Sequence, residues 1–497
     1  MKTKLILIAF LIVSITTANA QKYKADVPKS ITTKDSYQTM YVGELNFVDG
    51  FPTDETVKKT YDFLDVARAT LVFTNTIGIG SMQAMLDGQR KAGVGPYEIA
   101  VFEDYLDARS LWLTPNTSTP YAMGEIDTKN GPVVVENPGP VLGIVDDAFF
   151  THVTDMGLIG PDKGKDAKYL FVAPDYKGEI PDGYIVIHTR GYRHWLIMRL
   201  IVKDGDVKTP VAEFKARFKT YPLSEAANPP KQVFHSFSGK KYNTIHSNDI
   251  NFYYEINEAV QYEPTGVFSP EINGQLASIG IKKGKEFNPD ERWKKILKEG
   301  AIMGNASARA ILFAPRNKNV FFYPGKRQWY SPLAGGSHEF MNNGELVQSD
   351  RTMMLYFATG ITPSMVLPKP GTGSVYEITA RDADGNYLDG GKNYKVTLPG
   401  PIPMNNFWSF MINDVQTRGI LETDMKAGGI DSHRKGLKEN EDGGVTIYFG
   451  PKPPKGHENN WAQTMPGKGY TILLRLYGPL QPWYDKTWIP GDLELIK

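Results

Sequence analysis

The chain has 497 residues, with 56 Lys and Arg against 55 Asp and Glu. That near-neutral balance argues against partners recognised through a basic surface, such as nucleic acid or an anionic membrane. The absence of cysteine excludes disulfides, thiol nucleophiles and cysteine metal sites.

The first twenty residues read as a targeting segment. Lys2 and Lys4 make a basic start, Leu5 to Ile15 is an apolar run too short to span a bilayer comfortably, and Ala18-Asn19-Ala20 has the small-x-small pattern of a signal peptidase site. The reading is a secretory signal cleaved after Ala20, with the mature chain periplasmic or secreted. A retained membrane anchor is the alternative, opposed by the polar QKYKADVPK that follows and the missing stop-transfer charges. Cleavage removes two lysines and no acid, moving the net charge from +1 to about −1. What remains is ample for two or three domains resting on large hydrophobic cores.

Residues 21–95 form an N-terminal helical segment. Within it Val57, Tyr61, Leu64, Ala67, Leu71 and Val72 recur at helical spacing, and IGIGS at 77–81 is expected to break or kink the helix. Residues 96–225 change to short β-branched and aromatic runs punctuated by Pro, Gly and Asp, the texture of an antiparallel sandwich or barrel. Residues 226–330 return to helix. Phe252, Ile256, Ala259 and Val260 make one apolar face, with Ser247, Asn248 and Asp249 as capping residues ahead of it. Asp290 and Glu291 begin another helix, which places Trp293, Ile296, Leu297, Ala301 and Met303 on one side. Residues 331–497 are again β in texture. The fold class predicted is mainly β with helical segments, two β-sandwich domains joined by a helical region.

Common catalytic signatures are absent: no G-x-S-x-G, no H-E-x-x-H, no phosphate loop and no G-x-G-x-x-G. DADGN (382–386) starts like a calcium loop but carries Tyr387 and Asn393 where that loop needs Gly and Glu, so it reads as a hairpin turn; no metal or cofactor is predicted. Candidate site residues are therefore scattered. LTPNTSTPY (113–121) either presents Asn116, Thr119 and Tyr121 to a ligand or is a turn held by its own side chains. His152 and Asp155 make a base-and-orienter pair if a turn brings them together, whereas on a regular strand they face apart. His246, not needed for capping, is the second candidate base. Arg199, Arg351 and Arg475 are candidate anion clamps; Arg475 shares a strand face with Tyr477, with Trp461 near in sequence, to grip a carboxylate, sulfate or sugar ring, or else to bond loop carbonyls.

Several stretches together resemble a known bacterial family. LTPNTSTPYAMGEID, DMGLIGPDKGKDAKYLFVAPDYKGEIPDGYIVI and NTIHSNDINFYYEINEAVQYEPTG are similar to proteins carrying domain of unknown function 1254. FWSFMINDVQTRGIL and NNWAQTMPGKGYTILLRLYGPLQPWYDKTWIPG are similar to domain of unknown function 1214, and IGIKKGKEFNPDERWKKIL, GNASARAILF and ATGITPSMV to the region joining the two. The resemblance runs from about residue 50 to 492. It implies two jelly-roll-like sandwiches with helices between, often in oligomers, and it implies no reaction. Such proteins tend to have Asp where this chain has Ser118, so the loop is not expected to supply a catalytic carboxylate.

Three functions follow as expectations. The first is an exported protein that binds or helps process a carbohydrate or similar polymer, suggested by exposed-looking QWY (328–330) and QPWYDKTW (481–488). The second is a hydrolase of small esters, amides or phosphates with His152 or His246 as base and an Arg clamp. The third is an oligomeric envelope scaffold. The partners expected are a carbohydrate or other small polar ligand and further copies of the chain, with no nucleic acid and no membrane span.

Overall fold

The computed structural model describes residues 26–203, 205–331, 333, 336–366, 368–425 and 428–497. The signal segment 1–20 lies outside the described residues. Two compact units divide the chain at Leu64. Within the first, strands Ser36–Gln38, Glu44–Val48 and Phe51–Pro52 form a small antiparallel sheet.

The second unit, Asp65–Lys497, contains two pairs of sheets. One pair joins a six-stranded sheet, ordered 234–236, 99–102, 121–127, 193–200, 141–147, 152–157, to a four-stranded sheet, ordered 185–188, 166–172, 133–138, 219–222. Val101, Ala122, Leu196 and Met198 of the first meet Val133, Val135, Tyr169 and Phe171 of the second in one dry core. The other pair joins the sheet 374–379, 470–477, 408–414, 429–431 to the sheet 461–463, 445–450, 394–398, 494–495. Its core sets Phe410, Ile412, Ile472 and Leu474 against Val396, Leu398, Ile447 and Phe449. In each pair the inward residues alternate along the strand, as period-2 side-chain geometry demands.

Helices and strands each take 27% of residues and no barrel closes among the described residues, so the fold is mixed rather than mainly β. The reason lies in the helices Asp54–Asn75, Ile77–Lys91, Asn251–Tyr262, Glu291–Phe313 and Gln348–Phe357. Their apolar faces, with Phe73, Met82, Phe252, Leu297 and Tyr356, join outward-facing sheet residues such as Trp195 and Met411 in the largest core cluster. Among the described residues no helix is long and apolar enough to cross a membrane.

Two details correct the helix reading. The first break falls at Thr76, while Gly78 and Gly80 continue the next helix. These glycines are there for close approach: a Cβ on Gly78 would lie 2.6 Å from the Phe149 carbonyl oxygen, and one on Gly80 2.4 Å from the Phe252 ring. Met303, placed on the buried side by periodicity, is exposed, whereas Ile296, Leu297 and Ala301 of the same helix are buried. In that helix Asp290 caps the start, accepting from Trp293 N at 2.8 Å.

Gly300 and Gly304 let this helix touch the end of Asp54–Asn75. A Cβ at Gly304 would sit 2.6 Å from Phe73 Cβ, an atom fixed to the backbone that cannot swing away. Gly304→Val is therefore expected to cost about 3 kcal/mol through overpacking, read as a fall in the urea midpoint at unchanged slope; an unchanged midpoint would refute this packing account.

Candidate ligand-binding site

The strand Arg193–Leu200 explains why a site forms. Leu196, Met198 and Leu200 point into the sandwich core, so Trp195, Ile197 and Arg199 must point out of it. The strand Tyr470–Tyr477 repeats the arrangement: Ile472, Leu474 and Leu476 point inward, and Leu473, Arg475 and Tyr477 outward. The two outward faces flank one cavity of about 1350 Å³, larger than the roughly 300–1,000 Å³ of common small-ligand pockets. Its lining is rich in apolar side chains, including Leu142, Ile144, Ile197, Met354, Phe357 and Leu473.

Arg199 is the chemical centre of this space. Its Cζ lies 5.7 Å from the Tyr121 ring centroid and 5.9 Å from that of Tyr477, within cation–π range. Among the described residues no carboxylate forms an ion pair with it, and Nε is buried without a hydrogen-bond partner. Burial opposes its charge, but the phenols of Tyr121, Tyr376 and Tyr477 outweigh burial and hold the guanidinium firmly protonated. Burial and the neighbouring Tyr121 and Tyr376 raise the Tyr477 phenol, against the opposing pull of Arg475 and Arg199, so it stays neutral.

The loop 113–119 is bolted to the second sandwich. Arg475 donates from Nη2 to Thr114 O at 2.9 Å and from Nη1 to Pro115 O at 3.3 Å. Asn116 donates from Nδ2 to Tyr477 Oη at 2.9 Å, while its Oδ1 accepts from Ser118 N. In this loop Asn116 is a turn-holder, while Thr119 and Tyr121 line the cavity. Arg475 also lines it, with both terminal nitrogens bonded to loop carbonyls and Nε buried without a partner among the described residues. Ser118 donates to Asp431 Oδ2 at 3.0 Å, so the carboxylate of this corner comes from the second sandwich.

Other candidates lie elsewhere. His152 and Asp155 do meet, at 3.4 Å, because an extra residue at Val153 forms a bulge opposite Val145 and Asp146 and turns both side chains to one face. Neither lines the cavity; Asp155 instead accepts from Thr362 Oγ1 at 2.7 Å, and Asp146 accepts from Ile361 N at 2.9 Å. Both acids thus fasten the segment 358–365, one wall of the cavity, to the six-stranded sheet.

His246 is 3% exposed, packed among the rings of Phe73, Phe252 and Tyr356, and does not line the cavity. Burial, with Arg418 adding to it, lowers its pKa to about 3, so it is neutral at ordinary pH. Asp249 receives Asn251 N at 2.9 Å, the helix-entrance role expected of it. Arg351 reaches Asn75 O and covers the Phe149 ring, away from the cavity. Trp461 bonds Gly450 O from the outer sheet of the second sandwich and also lies apart.

Sequence reasoning missed the mouth. Tyr105, His433, Arg434 and Lys435 line it together with Asp431, the lone acid among the lining residues described. His433 packs tilted against Phe407 at 4.9 Å between centroids, and Phe407 stacks on Tyr477 at 3.9 Å. The signal was present in DSHRKG (431–436), a run of charged and polar residues after an apolar strand.

The fold and site define a class: a mixed α/β protein of two sheet pairs that enclose a cationic, apolar-lined cavity. Residues 97–222 match the family described as "Protein of unknown function (DUF1254)" and residues 373–481 the family described as "Protein of unknown function (DUF1214)". The chain carries both domains of unknown function, in the N-to-C order its motifs imply. The crystal structure of the VPA0106 protein from Vibrio parahaemolyticus is similar in fold, at 18% identity and TM-score 0.52, covering 87% of this chain and all of that one. A putative uncharacterized protein from Burkholderia cenocepacia aligns at 12% identity and TM-score 0.38 over 90% of this chain and 91% of its own. No curated protein matches the chain.

Proposed function

We propose that this protein binds a small organic anion with an apolar body in the cavity between its two sheet pairs, in an extracytoplasmic compartment reached through the N-terminal signal. The observation that carries the reading is Arg199, a guanidinium with no carboxylate partner among the described residues, set among three phenols in an apolar-lined space. A protein cation left without a counter-ion in such a place is completed by an anionic ligand. Arg434 and Lys435 in the lining outnumber Asp431 and favour the same charge sign.

Support for the other readings falls away at particular residues. The aromatics that suggested a polysaccharide surface are core: Trp329, Tyr330, Trp483 and Trp488 are all buried. A hydrolase using His152 or His246 has no base in the cavity, since neither residue lines it.

The test compares two ligands with one body. In calorimetric titration of the full chain, octanoate is expected to bind roughly 10- to 100-fold more tightly than octanamide, the worth of a charge-assisted hydrogen bond. Equal affinity for acid and amide would sink the proposal.

A further inference from the structure

We propose that the cavity selects long single-chain carboxylic acids, of the fatty-acid class, with the carboxylate at Arg199 and the chain leaving along an apolar track to a portal at Leu158 and Ile159. The proposal rests on the reading of Arg199 as the anion seat and adds the nature of the body attached to the charge.

The track follows from strand register. Arg199 pairs with Tyr121 on one side and Leu142 on the other, and Leu142 pairs in turn with Gly157 at the sheet edge. The next row out of the core sets Ile197 beside Ile144. Leu142, Ile144 and Ile197 all line the cavity, so an apolar floor runs from the guanidinium toward the edge strand His152–Gly157. That strand is followed by Leu158 and Ile159, which line the cavity and yet are 50% and 40% exposed.

These two adjacent aliphatic side chains offer apolar surface that a chain leaving the cavity at this point would cover. Arg434 and Lys435 also line the cavity, so its lining carries cationic as well as apolar side chains. A compact acid fills the seat at Arg199 and leaves most of 1350 Å³ unused; a flexible chain occupies the floor and the portal as well.

The experiment is a calorimetric series of octanoate, decanoate, dodecanoate and tetradecanoate, each below its micelle concentration, with the full chain. Affinity is expected to rise about fourfold per buried methylene, hence by roughly two orders of magnitude from octanoate to dodecanoate. Leu158→Asp and Ile159→Asp, at exposed positions, are expected to weaken dodecanoate at least fivefold and change octanoate less than twofold. Octanoate binding with no gain along the series overturns the inference and leaves the anion seat standing. Failure of every carboxylate to bind overturns both. Equal effects of the two substitutions on short and long acids overturn the portal.

Discussion

Arg199→Met is expected to lower the affinity for octanoate by roughly 10- to 100-fold while changing that for octanamide far less, because the substitution keeps an unbranched apolar stem and removes the guanidinium. It is also expected not to lower the stability of the unliganded protein. The guanidinium sits among Tyr121, Tyr376 and Tyr477 with no carboxylate among the described residues, and replacing a buried charge by a packed apolar side chain is commonly neutral or stabilising, by about 1–3 kcal/mol. Calorimetry and thermal unfolding of the same variant read both effects. A residue that serves the fold would lose stability when removed; one kept for a ligand loses binding alone. A variant that unfolds earlier and retains its preference for the acid would show Arg199 to be structural.

The second large effect is a fall in stability from pH 5 to pH 8, set by two buried glutamates. Glu377 accepts from Tyr323 Oη at 3.0 Å and Trp483 Nε1 at 2.6 Å in the second sandwich, and burial pushes its pKa up to about 7. Glu263 accepts from Tyr192 N at 2.6 Å and Arg193 N at 3.1 Å, and burial likewise raises it to about 7. Both folded values lie above the unfolded value near 4.5. The folded chain therefore holds these protons more tightly, so the stabilisation is complete below about pH 4.5 and is lost as the pH rises through 7. Each group contributes roughly 3 kcal/mol across that window as an upper figure. Urea unfolding at the two pH values is expected to show a smaller loss in Glu377→Gln and the smallest in the double variant Glu263→Gln/Glu377→Gln. An identical loss in the double variant and the parent would remove these two carboxyls as the cause.

Much of the framework was legible because it depends on local pattern. Alternation in HWLIMRLIV and GYTILLRLYGP marks strands with two distinct faces, and it set Arg475 and Tyr477 together on one of them. Helical spacing picked out Phe252, Ile256, Ala259 and Val260, all of them buried. The His152–Asp155 contact was left open, since a bulge changes the phase of a strand by one residue and nothing local announces it. Burial of the aromatic segments misled for a similar reason: Trp329, Trp483 and Trp488 are flanked by polar residues in sequence, yet each indole N–H has an acceptor, Gly491 O, Glu377 and Pro399 O respectively, which lets the ring enter the core.

The sequence by itself determined the two β regions, the helices before and between them, the cysteine-free chemistry and the pair of domains of unknown function. Which candidates share a site was decided only by the tertiary structure. Tyr121 and Tyr477 are more than 350 positions apart, and they flank Arg199 because outward faces of two separate sheets close on one cavity. His246 and Arg351 have equally suitable chemistry, and packing places them away from this cavity. A side chain's type and strand phase are local properties; the space it looks into belongs to the other sheet.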